Sequence, residues 1–198
     1  LYRALSEKRP FVCYRKPNST EVKVLVQQDD RPADFDFGAT KGFLFAPFDA
    51  NNELLFIPNE RSAQLSFDIL SQSIAPNSEP TSYLDAATAD AHKALVEKAI
   101  LFINQGQAHK IVLSRKENLS IDKIPLLDLY LSLARTYPNA FAYLWLHPTS
   151  GVWLGATPET LITCSQGQFK TMALAGTRIS RDHVGKPWGA KEINEQQL

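Results

Sequence analysis

Glu159 follows a proline at the end of an apolar run, Trp153-Leu154-Gly155-Ala156-Thr157-Pro158-Glu159-Thr160-Leu161. A carboxyl group held at a rigid strand junction, with Trp153 and Leu154 near it to exclude water, would have a raised pKa and could donate a proton. The plain alternative is a carboxylate in the first turn after a proline, close to backbone N–H groups. Lys110 opens the apolar stretch Ile111-Val112-Leu113. Lysines at strand entries usually face solvent. A lysine desolvated by those neighbours would lose its proton more readily and could act as a base.

Two further stretches carry candidate groups. In Ala173-Leu174-Ala175-Gly176-Thr177-Arg178 an apolar run ends in small residues. A glycine lets a ligand approach the backbone, and the N–H groups of Gly176 and Thr177 could hold a carboxylate. A plain β-turn would have the same composition. In Lys191-Glu192-Ile193-Asn194-Glu195-Gln196-Gln197 a helix would set Glu192 and Glu195 at i, i+3 on one face. Such a face is usually just solvated. It could instead offer one carboxylate to Mg²⁺, which takes one or two protein carboxylates with waters and substrate oxygens. His92, His109, His147 and His183 are scattered, Cys13 and Cys164 lie far apart, and no zinc-ligand spacing is present. The nine glycines form neither dinucleotide nor phosphate-loop patterns.

Positioning those groups requires a folded scaffold, and the 198 residues are enough for one globular domain or two small lobes. Lys+Arg and Asp+Glu are both 21, so the net charge of zero gives no argument for nucleic acid or an anionic membrane as partner. No apolar run reaches the ~18 residues of a membrane span. The N-terminal residues lack the apolar core of a signal peptide. Two cysteines make no disulfide framework, and a reducing cytoplasm is the expected setting. The chain starts at Leu1 and stops within the helical pattern of 191–198, which reads as a piece of a longer protein.

Residues 10–28 alternate apolar and polar around Lys16-Pro17-Asn18-Ser19, predicting two strands and a turn. Residues 42–48 and 53–58 flank a polar turn, a second hairpin. The Ser-, Pro- and Asn-rich stretch 71–85 predicts a surface loop that closes a first lobe, 1–80, before a second region, 81–198. Leu95, Ala99, Ile100 and Ile103 predict a helix over 86–105 stopped by Gly106. A strand is expected over 110–119. Pro125 then opens a helix with Leu126, Tyr130 and Leu133 as its buried stripe. Strands are expected at 140–147, 152–156, 160–164 and 169–175. Short turns between strands force antiparallel pairing, and segregated helices make the class α+β.

Taken in order, "KIVLSR" (110–115), "WLGATPETL" (153–161), "TMALAGTR" (171–178) and "KEINEQQL" (191–198) resemble the chorismate-utilising enzymes. The resemblance is close over residues 85–198 and loose before residue 80. It implies antiparallel sheets packed face to face with helices outside and the active site between the sheets. It also implies that Lys110 is the base that activates water. Amine-adding members typically carry another residue there, so the resemblance points to isochorismate synthase. Glu159 would then be the acid that protonates the departing C4 hydroxyl. Ala175, Gly176 and Thr177 would form a substrate-contacting turn, and Glu195 would hold Mg²⁺. Chorismate is the implied small-molecule partner and a monomer the implied state. Salicylate synthase, which adds pyruvate elimination to the same first step, and a non-catalytic module of the same fold are the alternatives. The menaquinone and siderophore pathways both remain open.

Overall fold

The computed structural model describes residues 2–29, 31–74, 86–118, 125–174, 176 and 187–197, without the side chains of residues 2, 86, 87, 195 and 196. The chain divides into two compact units. The first is Leu1–Pro76 with Ile124–Thr171, and the second is Asn77–Lys123 with Met172–Leu198. Antiparallel sheets with few helices make the class α+β, as the strand runs predicted.

The first unit opens with a short helix, α1 (Tyr2–Ser6), and two strands, β1 (Phe11–Arg15) and β2 (Glu21–Gln27). The turn between the strands places Asn18 at a φ of 60°, a conformation that asparagine tolerates. The hairpin β3 (Gly42–Phe45) and β4 (Leu55–Pro58) follows, then β5 (Ser62–Asp68). Five strands form one antiparallel sheet in the order β5-β2-β1-β6-β7, where β6 is Phe141–His147 and β7 is Gly151–Thr157. The sheet therefore takes three strands from before residue 80 and two from after it.

Period-two alternation decides which residues enter which layer. Phe11, Cys13, Val22, Val24, Ala142, Leu144 and Leu146 share one face and are buried. Against them packs a helix over Leu126–Thr136, through Tyr130, Leu131 and Ala134. On the opposite face Val12, Leu25 and Trp145 pack against Leu55 and Ile57 of the β3–β4 hairpin. Each fully buried side chain of this size contributes about 1.5–3 kcal/mol. Gly155 in β7 is required by this packing: a Cβ there would stand 2.8 Å from the Tyr143 ring across the pair.

Pro125 opens the 126–136 helix and Tyr137 ends it, with the Tyr137 N–H donating to the Leu133 carbonyl at 3.1 Å. Its buried stripe is shifted by one position: Leu131 and Ala134 join Tyr130, while Leu126 and Leu133 are only half-buried.

In the second unit a helix spans Ala86–Asn104. Gly106, at a φ of 72°, terminates it, and the Gln107 N–H closes back on the Phe102 carbonyl at 3.0 Å. Numbered in chain order, the helices are α1, α2 (Ala86–Asn104), α3 (Leu126–Thr136) and α4 (Ala190–Gln197).

Three expectations are corrected. Residues 110–118 form no strand, because among the described residues no neighbouring strand supplies their ladder hydrogen bonds. The strands expected at 160–164 and 169–175 contract to β8 (Thr163–Ser165) and β9 (Gln168–Lys170), a small hairpin turned by Gln166 and Gly167 at φ of 51° and 75°. Strand β5 was not expected; it is an edge strand whose Leu65 is 59% exposed. The loop predicted at 71–85 lies mostly outside the described residues.

Candidate functional site

Glu159 sits two residues beyond β7 in the first unit, after Pro158. The Thr157 hydroxyl donates to its carbonyl at 3.3 Å, so the segment turns back at the strand end. Trp153 and Leu154 do not together supply the apolar surround expected for its carboxyl group. Leu154 packs towards the helix-covered face of the sheet and Trp153 towards Phe45, with ring centroids 5.7 Å apart, while Glu159 is exposed. Alternation along β7 is the reason: adjacent residues point to opposite faces and cannot line one pocket.

Lys110 belongs to the second unit and lies six residues past the end of α2 in a stretch without regular secondary structure. It is exposed, and of the apolar residues expected to desolvate it Ile111 and Leu113 are half-buried while Val112 is 83% exposed.

Gly176 and α4 do come together. Gly176 has a φ of 80°, a conformation glycine adopts without strain. A Cβ on it would stand 3.3 Å from the Trp188 ring and 3.4 Å from Glu192 Cβ. Gly176 therefore lies directly against Trp188 and the first part of α4. Glu192 Oε2 comes to 2.7 Å from where a Cβ would stand on Gly189, placing this carboxylate over the start of its own helix, where the macrodipole favours a negative charge. Glu195 is one turn further along α4. Ala175 and Thr177 lie outside the described residues, as does the Glu195 side chain.

As a donor set, α4 suits magnesium in kind, with hard carboxylate oxygens and no thiolate or imidazole. Among the described residues no group of three His, Cys, Asp or Glu is assembled that could hold a metal ion by itself. Cys13 takes no part. It is buried in the sheet core, where desolvation pushes its thiol up to about 12, so it stays protonated and inert. Burial likewise raises the Tyr130 hydroxyl, which has no hydrogen-bond partner in the core. Burial lowers His147, and its Nδ1 accepts from the Thr149 N–H at 3.2 Å.

Trp188 as the wall behind Gly176 was missed in the sequence, because its contact is made across twelve residues of chain and leaves no periodic signal.

The sequence profile described as chorismate binding enzyme matches residues 27–186. The chain belongs to the chorismate-binding enzyme family. Among curated relatives, the chain is 32% identical to anthranilate synthase component 1 of Mycobacterium bovis over 96 residues, which is 46% of this chain and 18% of that protein. It is 30% identical to anthranilate synthase component 1 of Archaeoglobus fulgidus over 115 residues, 58% of this chain and 26% of that protein. A Halobacterium salinarum protein of the same description is 33% identical over 92 residues, 46% and 17% respectively. The chain thus covers 26% or less of the length of these relatives. No solved structure matches it. For a chorismate-binding enzyme, the antiparallel α+β class is the expected one, and none of the helices among the described residues is long and apolar enough to cross a membrane.

Proposed function

We propose that these residues belong to an isochorismate synthase, with residues 81–198 as the first part of its catalytic domain. The observation that carries the reading is Lys110 at the head of "KIVLSR", the position where the resemblance places a lysine in the water-adding members. Water must bond to C2 of chorismate while the ring double bonds shift and the C4–oxygen bond breaks. Water is a poor nucleophile and hydroxide a poor leaving group. A base that takes a proton from water and an acid that gives one to the departing oxygen solve both problems. Lys110 is the base and Glu159 the acid. The opposed requirements on the two groups, a neutral amine and a protonated carboxyl, are the usual pattern of such pairs. Gly176, with Ala175 and Thr177, offers backbone N–H groups to a substrate carboxylate. Glu195 is the α4 carboxylate that the resemblance, by its offset from Lys191, assigns to magnesium. Bound magnesium supplies charge neutralisation at the ring carboxylate.

A second reading is favoured by the relatives, which are described as anthranilate synthase component 1. There the nucleophile would be ammonia and Lys110 would have no water to activate. Incubating the full-length protein with chorismate and Mg²⁺, with and without ammonium, and separating the products decides between them. Isochorismate without ammonium supports the proposal, whereas anthranilate that depends on ammonium replaces it. Salicylate with pyruvate keeps the base and acid but changes the final product. Lys110→Ala and Glu159→Gln should each lower turnover by about 10²–10⁴-fold. Unchanged turnover in both variants would remove these roles.

A further inference from the structure

A cleft of about 680 Å³ lies between the β3–β4 loop and the β6–β7 turn of the first unit. That is within the roughly 300–1,000 Å³ typical of small-molecule sites. Its walls are aromatic: Phe45, Phe48 and Trp153. Phe45 is itself backed by Trp145, stacked at 4.9 Å and 14°.

Ser150 fixes both indoles. Its hydroxyl accepts from Trp145 Nε1 at 2.9 Å, and its carbonyl accepts from Trp153 Nε1 at 2.9 Å. With their N–H groups taken up in the turn, the indoles are held in place before any ligand arrives. Trp153 remains 51% exposed, and Phe48 stands wholly in solvent. Among the described residues, Glu53 is the one charged residue lining the cleft. Its charge also acts on His147, on the neighbouring strand end.

Aromatic faces attract cations through their quadrupoles, and a carboxylate at the rim adds a full negative charge. The same charge repels a carboxylate-bearing molecule, so the cleft is built for the opposite sign from chorismate. We propose that this cleft binds a small organic cation, an alkyl- or arylammonium, with its apolar body on Phe45, Phe48 and Trp153 and its charge towards Glu53. Neutral aromatics would gain the walls but not the carboxylate.

Calorimetric titration of the full-length protein with choline chloride tests this. The comparison ligand is the uncharged analogue in which carbon replaces the quaternary nitrogen. Choline should bind and the analogue should bind several-fold more weakly. Glu53→Gln should weaken choline about fivefold, the scale of an exposed charge pair. Phe48→Ala should weaken it too, and because Phe48 packs against no core its circular dichroism should match that of the parent. Absence of any binding heat, equal affinity for the uncharged analogue, or undiminished affinity in Glu53→Gln would each overturn the proposal.

Discussion

Arg15 is the charge most deeply set in the sheet, at 1% exposure, and among the described residues it forms no ion pair. Its guanidinium instead donates to five carbonyls. Nη1 reaches Lys16 at 2.9 Å, Ser19 at 3.1 Å and Pro138 at 2.7 Å, and Nη2 reaches Tyr137 at 2.8 Å and Ala140 at 2.9 Å. The β1–β2 turn is thereby pinned to the connection between α3 and β6, residues more than a hundred positions away. A lysine could not span that set, because its three donors radiate from one point while the guanidinium is a planar fork. Arg15→Lys should cost about 2–4 kcal/mol through buried carbonyls left without donors. Chemical denaturation would measure it, and a loss below about 0.5 kcal/mol would show that water replaces the arginine. The alternating pattern of β1 did not reveal this role, since a polar residue in a strand ordinarily marks the solvent face. Lys110 and Glu159 show the reverse: their motifs make them visible, but their surroundings could not be read from neighbours in sequence. Leu154 and Trp153 lie on opposite faces of β7, so they do not jointly line a pocket for Glu159.

Among the elements, local pattern and tertiary pairing separate cleanly. The β1–β2 and β3–β4 hairpins, α2, α3 and the β6–β7 pair were legible because turn chemistry and periodicity are local. The stretch 110–118 has strand composition and no strand, because a strand exists only where a neighbour completes its ladder. Conversely β5 was invisible until β2 paired with it along its length, from Glu21 with Asp68 to Gln27 with Ser62. The junction between these two strands is held by Asp29, which accepts from Arg61 through both carboxylate oxygens and from Gln27 at 3.2 Å. The Arg61 hydrogen bonds hold the Asp29 carboxyl well below the usual carboxylate range, against an opposing effect of burial. Because the folded-state value is depressed, the unfolded chain takes up the proton first as pH falls. The stabilisation is complete above the ordinary carboxylate value of about 3.9 and declines below it. Asp29→Asn should therefore melt below the parent at neutral pH, and the gap should close progressively below about pH 4. A gap of constant size down to about pH 2.5 would mean that the charge on Asp29 is not what joins these strands.

At the scale of the whole molecule, the first unit has a continuous two-faced core, yet large apolar side chains in both units meet water. Along α2, Leu95, Ile100, Leu101 and Phe102 are 43%, 51%, 58% and 42% exposed. Leu161 and Phe169 reach 86% and 73%. Large exposed apolar area on a folded protein usually marks a surface that another part or partner covers. The relatives are several times longer than their matched segments, at 17–26% coverage. A lysine base needs apolar surroundings to become neutral, and Lys110 is exposed within these 198 residues. The 198-residue polypeptide produced by itself should therefore bind a hydrophobic dye strongly and convert chorismate, with Mg²⁺ present, at least about a thousandfold more slowly than the full-length protein. Turnover within about tenfold of the full-length rate would show that exposed Lys110 is competent as it stands, and the requirement for a desolvating surround would fall with it.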